Sequence, residues 1–332
     1  MTNQGGDSFL VTGANGFVGS EMVRLLRAQK IHARALVRSK SKGAELAALG
    51  AELVEGDLTQ VESLARAMEG VRGVYHIGAV YRETTISNET FFKVNAEGTR
   101  NVFEAAISRG VSRVIHCSTG GVLGDIKGAP GSDVSPYAPE DVYQESKVEG
   151  EKIALEYYRS GKMGGAVIRP GMIYGPRDTR FLKLFKAIAR RRFAHVGSGQ
   201  QWVHYVDVRD LCQAFLLAMQ HEELNGHIYC IAGATPVSFA TFVDLVAENL
   251  GVRVPRWHVP LAPLQIAGSV CEWICRPFGI SPPLYRRRVD FFKKNRIFDI
   301  TKAQRELGYT PRQSLQEEVR EVVSWYRGQG LV

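Results

Sequence analysis

The residues best suited to acid–base chemistry are Tyr143 and Lys147, which stand four positions apart at the start of a predicted helix over 141–160. Residues at i and i+4 share one helix face, so the ammonium group is expected near the phenol. A tyrosine phenol has an ordinary pKa of about 10. A neighbouring cation favours the phenolate and draws that pKa toward neutrality, which would let Tyr143 exchange a proton with a substrate hydroxyl or carbonyl. By itself this spacing is common on helices, so it indicates catalysis only together with a second motif.

A glycine-rich turn near the amino terminus supplies that second motif. The strand-like run Ser8–Val11 leads directly into this turn, which opens a predicted helix. Its glycine spacing is typical of dinucleotide binding: Gly13 allows the tight turn, Gly16 lets the backbone approach a pyrophosphate, and Gly19 allows close helix packing. We therefore expect a dinucleotide to contact Gly13, Asn15, Gly16, Phe17, Val18 and Gly19.

The ends of the next two predicted strands bear on which dinucleotide binds. Where an NAD site carries an acid for the ribose 2′-hydroxyl, this chain has Arg38 with Lys40 and Lys42 close behind. A cation suits a 2′-phosphate, so NADP is favoured and NAD stays open; the alternative is a solvated basic loop. Asp57, followed by Leu58 after the third strand, either accepts from the adenine amino group or closes a turn.

A sheet is needed to position these groups, and the first 170 residues have the pattern for one. Apolar runs that predict strands alternate with amphipathic stretches that predict helices near 16–29, 42–49, 60–69, 89–109 and 141–160. The strand runs are Ser8–Val11, Ala33–Val37, Glu52–Glu55, Val74–Ile77, Arg113–Cys117 and Ala166–Ile168. Continuous apolar strands alternating with helices indicate an α/β fold with a doubly wound parallel sheet, covered on both faces.

After Pro170 the alternation stops, which predicts a smaller, discontinuous C-terminal substrate lobe. We expect the dinucleotide-binding Rossmann domain over 1–170, with returning segments at about 203–225 and 297–325. The substrate lobe is expected over about 171–202 and 226–296, including a strand at Ile228–Ile231.

Composition and charge narrow the class of protein. The 332 residues are 45% hydrophobic and 23% charged, which excludes disorder, collagen and coiled coil. The net charge of +8 is concentrated: residues 177–192 hold seven basic residues against one acidic, and residues 256–296 hold eight against two. The five cysteines are odd in number, without a C-x-x-C pair, and no His or Cys cluster completes a metal site. With no signal peptide or membrane span evident, a cytoplasmic protein is expected.

Five motifs occur in the order typical of one known family. They are Thr12-Gly13-x-x-Gly16-x-x-Gly19, Val94-Asn95-x-Glu97-Gly98-Thr99, Ser118-Thr119-x-x-Val122, Tyr143-x-x-x-Lys147 and Arg169-Pro170-x-x-x-Tyr174-Gly175-Pro176. Over nearly its whole length the chain resembles the extended short-chain dehydrogenases/reductases. This resemblance implies that Thr119, with Ser118 as its rival, donates to the substrate oxygen, and that Lys147 holds the nicotinamide ribose. Asn95 would support the catalytic geometry through its helix. Further cofactor contacts would come from Gly78, Ala79, Pro170 and Ile173.

Departures from the family pattern indicate the kind of member. Nucleotide-sugar dehydratases carry an acid just after the catalytic Ser/Thr, where this chain has Gly120-Gly121. Epimerases of nucleotide sugars carry a diphosphate-binding Arg where this chain has Val203. The late segments resemble the 3β-hydroxysteroid dehydrogenase branch, which includes the sterol-4-carboxylate 3-dehydrogenases. Those segments are His258-Val259-Pro260, Ser281-Pro282-Pro283-Leu284, Phe298–Ala303 and Leu307–Pro311.

The resulting prediction is an NADP-preferring oxidoreductase that transfers hydride between the nicotinamide and a hydrophobic secondary alcohol or ketone. A 3β-hydroxysteroid or 4-carboxysterol is the expected substrate, and a homodimer the expected assembly. The alternatives are a nucleotide-sugar 4-epimerase and a non-catalytic dinucleotide-binding protein. No nucleic-acid module accompanies the basic clusters. Because both clusters adjoin apolar faces, peripheral contact with an anionic membrane surface is a further hypothesis.

Overall fold

A seven-stranded parallel sheet forms the centre of the protein. The computed structural model describes residues 7–81, 86–255, 257–275 and 291–332. The strands are β1 (Ser8–Thr12), β2 (His32–Val37), β3 (Glu52–Glu55), β4 (Gly73–His76), β5 (Arg113–Cys117), β6 (Gly164–Pro170), β7 (Met172–Tyr174), β8 (His195–Val196), β9 (Trp202–Val203), β10 (Tyr205–Asp207), β11 (His227–Ile231), β12 (Val237–Ser238) and β13 (His258–Val259). The order across the central sheet is β11-β6-β5-β4-β1-β2-β3, with every neighbouring pair parallel. The predicted parallel sheet is confirmed.

Helices cover both faces of this sheet. They are α1 (Phe17–Ala28), α2 (Ala44–Ala48), α3 (Val61–Ala67), α4 (Asn88–Phe92), α5 (Gly98–Ser108), α6 (Val142–Arg159), α7 (Leu182–Ala189), α8 (Val208–Gln220), α9 (Phe239–Leu250), α10 (Leu261–Cys275), α11 (Thr301–Leu307) and α12 (Leu315–Gly328). Side chains alternate across β1: Val11 packs with Met22 in one core, whereas Leu10 packs with Val102 in the other. Because both faces are buried, the strands read as continuous apolar runs in the sequence.

The strand order reverses at β1, which places a crevice at the carboxyl edge of the sheet. From β1 the chain continues outward to β2 and β3, whereas β4, β5 and β6 lie on the other side of β1. The loops that follow β1 and β4 therefore leave the sheet side by side and diverge. In open α/β sheets this switch point is where ligands bind.

The smaller lobe has its own apolar core. Phe185 of α7 and Phe242 of α9 pack there with aromatic side chains from β7 and β10. The short strand pairs β9–β12 and β8–β13 also belong to this part of the chain. Its segments are separated in sequence.

Two segments pack elsewhere than the sequence predicts. β11, placed within the predicted substrate-lobe range 226–296, is the edge strand of the central sheet, with Ile228 opposite Val167 of β6. A short apolar run does not reveal its partner strand, because strand pairing joins residues far apart in the chain. α12, inside the predicted returning segment 297–325, packs Val319 and Val322 in the core of the smaller lobe, whereas α11 does return to the large core.

Helix α10 presents apolar side chains to solvent. Trp273 is 77% exposed, and Ile266 and Ile274 on the same helix are also exposed. Trp257, just before β13, is likewise 77% exposed. Within the described residues, no helix is both long and apolar enough to cross a membrane.

Candidate functional site

The glycine turn connects β1 to α1 and brings the backbone to the carboxyl edge of the sheet. Gly13 has φ +66°, and a Cβ there would lie 2.6 Å from Cα of Gly78 in the loop after β4. A Cβ on Gly19 would lie 2.1 Å from the Gly13 carbonyl oxygen, so only glycine lets α1 start this close to the turn. Gly16 is the N-cap of α1 and provides no side-chain cap, and the first turn carries no acid. The amino end of α1 is therefore suited to binding an anion.

A chain of buried polar groups ties this turn to the next loop. The Thr12 hydroxyl accepts hydrogen bonds from the backbone N–H groups of Ile77 and Gly78, at 3.1 and 3.0 Å. It therefore donates to Nδ1 of His76 at 2.9 Å, and the other ring nitrogen, Nε2, donates to the Thr99 hydroxyl at 3.1 Å. Burial, aided by the positive charge of a nearby lysine, lowers the pKa of His76 to about 3. This histidine is a neutral structural link, as its position at a strand end suggests.

Asn95 continues the chain of contacts toward helix α6. It lies in a π turn, Lys93–Glu97, that joins α4 to α5. Its side-chain amide exchanges two hydrogen bonds with the backbone of Val80, at 2.8 and 3.0 Å, and donates to the Ser146 hydroxyl at 2.9 Å. Ser146 in turn donates to the carbonyl of Tyr143 at 2.8 Å. Asn95 thus fixes the cleft wall at Val80 and the first turn of α6 together.

Tyr143 and Lys147 lie on the first turns of α6, on the face that meets the sheet. The helix begins at an N-cap, Asp141, whose side chain accepts from the Gln144 N–H at 2.9 Å. The Lys147 ammonium is buried and donates to the Cys117 carbonyl at the end of β5, at 2.6 Å. Burial lowers the pKa of Lys147. The Tyr143 ring packs edge-on against Tyr81, with 5.0 Å between ring centroids.

Ser118 and Thr119 follow β5, and their hydroxyls have different surroundings. Ser118 is buried and donates to the Glu151 carboxylate, which also forms an ion pair with Arg169 at 2.6 Å. Thr119 is only partly buried, lines the cleft and accepts from the Gly121 N–H at 3.1 Å. Thr119 is therefore the better placed of the two to reach a substrate.

The predicted residues gather around one cleft of about 740 Å³ at the carboxyl edge of the sheet. Those that line it are Gly13, Asn15, Gly16, Phe17, Val18, Gly19, Arg38, Asp57, Leu58, Gly78, Ala79, Ser118, Thr119, Tyr143, Lys147, Pro170 and Ile173. Asn95 stands behind the wall and acts through Val80. The Asp57 carboxylate accepts from the N–H and hydroxyl of Thr59, so it closes a turn while facing the cleft.

The charge of this cleft is mostly positive. Among the described lining residues one carboxylate, that of Asp57, faces five cationic side chains. These are Arg38, Lys42, Lys147, Arg180 and Arg296. Together with the uncapped start of α1, this charge suits a ligand with phosphate groups. The residues present therefore fit a dinucleotide cofactor.

A larger depression, of about 940 Å³, lies at the opposite, amino edge of the sheet. It also contains several arginines, but these already bind carbonyl groups and carboxylates of the protein itself. The Arg113 guanidinium donates to carbonyl groups of Ala218, His221 and Glu222, and Arg72 pairs with Asp7 and Glu222. None of the predicted site residues lines this depression, so we assign the site to the other edge.

Sequence reasoning missed the role of Phe298 in the cleft. A Cβ on Gly120 would lie 2.3 Å from the Phe298 ring and 2.9 Å from the Pro170 carbonyl oxygen. The ring thus occupies the space where a side chain at position 120 would project. His204 supports it: its Nδ1 accepts from the Phe298 N–H at 3.3 Å, and its Nε2 donates to the Gly233 carbonyl at 2.8 Å. Only the apolar character of Phe298 was visible in the sequence.

The first basic cluster also reaches the cofactor motif. In the loop over residues 175–181, which we call the 175–181 loop, Arg177 forms an ion pair with Glu21 of α1. The Arg180 guanidinium lies over the ring of Phe17, 4.9 Å from its centroid. Both side chains lie against α1, because the loop folds back over this helix. In the second cluster, Arg256, Arg276 and Arg286–Arg288 lie outside the described residues, as does Ser281-Pro282-Pro283-Leu284.

Comparison with known proteins agrees with this geometry. Residues 9–232 match the model of the NAD dependent epimerase/dehydratase family. The chain is 31% identical over 314 residues to the 4-hydroxy-2-methyl-3-oxo-4-farnesyl-3,4-dihydroquinoline-1-oxide ketoreductase of Stigmatella aurantiaca, covering 92% of this chain and 93% of that protein. It is 30% identical to the sterol demethylase protein B of Methylococcus capsulatus, covering 97% and 99%. The crystal structure of gox2253 matches with a TM-score of 0.81 and 32% identity, covering 98% and 99%. The protein is therefore an oxidoreductase of the NAD-dependent epimerase/dehydratase family, with the extended short-chain dehydrogenase/reductase fold and a nicotinamide dinucleotide as its cofactor.

Proposed function

We propose that the protein is an NADP-preferring alcohol dehydrogenase/ketoreductase for a hydrophobic secondary alcohol or ketone, with a 3β-hydroxysteroid or 4-carboxysterol as the substrate class. The observation that carries the proposal is the meeting of Tyr143, Thr119 and Lys147 in one cationic cleft beside the Phe298 ring. The bound dinucleotide supplies the hydride acceptor or donor. The protein's own residues supply proton transfer, orientation and an apolar surface.

In the proposed mechanism Tyr143 exchanges a proton with the substrate oxygen. Thr119 donates a hydrogen bond to the same oxygen, which is therefore held between the Thr119 and Tyr143 hydroxyls. Lys147, held by the Cys117 carbonyl, keeps a positive charge beneath Tyr143 and favours its phenolate. Asn95 is a positioning residue, since it holds the first turn of α6 through Ser146 and touches no reacting atom.

The substrate class is inferred from the space around Gly120. A dehydratase needs an acid beside the catalytic hydroxyl, and here the Phe298 ring fills that space while Gly120 and Gly121 carry no side chains. Position 203 presents a buried Val203 instead of the arginine that would bind a nucleotide diphosphate. Two relatives with about a third of their residues identical are named for a farnesyl-bearing ketone and for a sterol. Apolar, ring-containing substrates are consistent with all three observations.

A nucleotide-sugar 4-epimerase would use the same tyrosine, threonine and lysine. The observation in its favour is Arg296, which lines the cleft and forms a β-bridge beside Val203. Arg296 thus brings a cation from another segment next to position 203, and a cation there would suit a diphosphate. Thermal-shift measurements with UDP-sugars and with sterols separate the two, because a true ligand stabilises the folded state by mass action.

The NADP preference is proposed from Arg38 and Lys42. Both line the cleft at the end of β2, where the adenosine ribose of the dinucleotide would lie, and Arg38 is exposed. Neither forms an ion pair with any described residue, so their charges remain available for a 2′-phosphate.

Tyr143→Phe is the direct test of the proposed mechanism. We expect turnover to fall by on the order of 10²- to 10⁴-fold while the dissociation constant for NADPH stays nearly unchanged, because only the proton-transferring hydroxyl is lost. Tyr157→Phe is the matched control, since Tyr157 lies on the same helix and its hydroxyl donates to Glu104, away from the cleft. Turnover would be measured by cofactor absorbance with sterols, 4-carboxysterols and nucleotide sugars. Undiminished turnover in Tyr143→Phe would overturn the mechanism.

We also propose peripheral contact with an anionic membrane. The exposed residues Arg190–Arg192 form no ion pair with any described residue and lead directly into β8. β8 pairs with β13, and the His195 N–H donates to the carbonyl of the exposed Trp257 at 3.0 Å. An exposed basic run is thus joined through β8 to an exposed tryptophan, and basic with aromatic groups is the combination that anionic lipid headgroups attract.

A further inference from the structure

Arg180 occupies a position in the cleft that the family motifs do not assign. It lies in the 175–181 loop, and its guanidinium is stacked over the ring of Phe17 in the glycine turn, 4.9 Å from the centroid. The side chain is 40% exposed and lines the same cleft as Tyr143. Arg180 also interacts electrostatically with the phenols of Tyr81 and Tyr143. It therefore stands between the start of α1 and the residues proposed to act on the substrate.

Hydrogen bonds along one edge of its guanidinium fix the orientation of Arg180. Nε and Nη2 donate to the two carboxylate oxygens of Asp178, both at 2.9 Å, and Nη2 also donates to the Ile173 carbonyl at 2.9 Å. Asp178 is itself 1% exposed and accepts from the Arg180 backbone N–H at 2.7 Å. Because the carboxylate is buried in the loop, it holds the guanidinium without blocking the cleft.

The other edge of the guanidinium is left for a ligand. Arginine has five N–H donors, and three of them are used by Asp178 and Ile173. The two donors on Nη1 form no hydrogen bond within the described part of the chain. A planar, pre-oriented edge of this kind matches the oxygens of a phosphate or carboxylate.

We propose that Arg180 binds an oxyanion in the cleft through this edge. Two sources carry that chemistry: the pyrophosphate of the dinucleotide, whose expected position at the start of α1 is next to Phe17, and a carboxylate carried by the substrate near its reacting hydroxyl. The second source rests on the proposed function, whereas the first depends only on cofactor binding. In either case the 175–181 loop, held to α1 by the Arg177–Glu21 ion pair, closes one side of the site.

Arg180→Gln tests the proposal by binding as well as by turnover. Calorimetric titration with ADP, which carries the pyrophosphate without a nicotinamide, reports the first source. The ratio of kcat/KM for a 4-carboxysterol to that for the matching sterol without the carboxylate reports the second. A loss of about 10- to 100-fold in ADP affinity, or a fall of that size in the substrate ratio, is the expected result for a charge-assisted hydrogen bond. Arg66→Gln is the matched control, because it removes one exposed positive charge on α3, away from the cleft and from the proposed membrane contact.

A second variant guards against misfolding. Arg180→Gln leaves the buried Asp178 carboxylate without its cation, so Asp178→Asn/Arg180→Gln, which removes both charges, is measured in parallel. Unchanged ADP affinity together with an unchanged substrate ratio, in whichever of these variants is folded, would overturn the proposal. ADP binding does not require turnover, so a failure of the proposed function leaves this measurement intact and the two outcomes remain distinct.

Discussion

The buried ion pair between Glu151 and Arg169 should be the most sensitive point of the fold near the site. Their side chains are 0% and 1% exposed, and the Glu151 carboxylate accepts from Nε and Nη2 of Arg169, at 3.1 and 2.6 Å to the same oxygen, Oε1. Tyr137 donates to it at 2.9 Å and Ser118 donates as well. Arg169→Met would leave this carboxylate buried without a cation. Removing one partner of a buried pair costs about 3–5 kcal/mol of unfolding free energy, a large part of the roughly 5–15 kcal/mol typical of a whole domain.

The reverse substitution and the double variant sharpen this prediction. Glu151→Met should cost a similar amount, since it strands the guanidinium of Arg169. In Glu151→Met/Arg169→Met both charges are gone. The remaining cost is that of the Ser118 and Tyr137 hydroxyls, which lose their acceptor, and of the Ser132 carbonyl, which loses its Arg169 donor. An unsatisfied buried donor costs about 1–3 kcal/mol, so the double variant should be less destabilised than the sum of the single ones by several kcal/mol.

Urea unfolding at pH 7, followed by tryptophan fluorescence, measures all three variants. Lys152→Met is the matched control on the same helix, because the Lys152–Glu149 pair is 54% and 47% exposed and is expected to contribute less than about 1 kcal/mol. If Arg169→Met costs no more than Lys152→Met, or if the two single costs simply add in the double variant, the reasoning from burial is refuted.

Three further outcomes can be measured directly. Arg38→Asp should reverse the NADP/NAD preference in kcat/KM, and an unchanged preference would show that Arg38 does not contact the 2′-phosphate. Burial raises the pKa of Glu318 to about 8 from an ordinary 4.5. Between these two values the folded state holds a proton that the unfolded state releases, so the free energy of unfolding should fall as the pH rises from 4.5 to 8. Glu318→Gln should lose this part of the pH dependence in urea titrations; parallel pH profiles for variant and parent would contradict it. Anionic vesicles should sediment the protein at low salt and release it at high salt, more weakly after Arg190–Arg192 are changed to Gln; equal sedimentation with neutral vesicles would remove the membrane hypothesis.

Local patterns in the sequence were sufficient for the parts of the site built from neighbouring residues. The glycine turn and the Tyr143–Lys147 pair each lie within a few residues, and their conformation follows from backbone sterics and helix periodicity. The choice between Ser118 and Thr119 needed the structure, because it depends on contacts with distant segments. Both residues line the cleft, but the Ser118 hydroxyl donates to Glu151, whereas Thr119 is only partly buried.

Contacts between segments that are distant in the chain could not be predicted from the sequence. Nothing in the run around Phe298 indicates that its ring covers Gly120, and nothing around Arg180 indicates that it stacks on Phe17. The edge strand β11 shows the same limit, since its apolar run fits either lobe until its partner β6 is known. These placements depend on how the smaller lobe folds back over the sheet.

The contact of Phe298 with Gly120 constrains how this enzyme could change its chemistry during evolution or design. An acid introduced at position 120 alone would collide with the ring, and a smaller residue at position 298 alone would leave a cavity without adding a reactive group. Each single step is therefore harmful, and even the pair would require the Pro170 backbone to shift, because its carbonyl oxygen would lie 2.9 Å from a Cβ at position 120. His204 adds to this epistasis, because its hydrogen bond to the Phe298 backbone holds the obstructing segment in place.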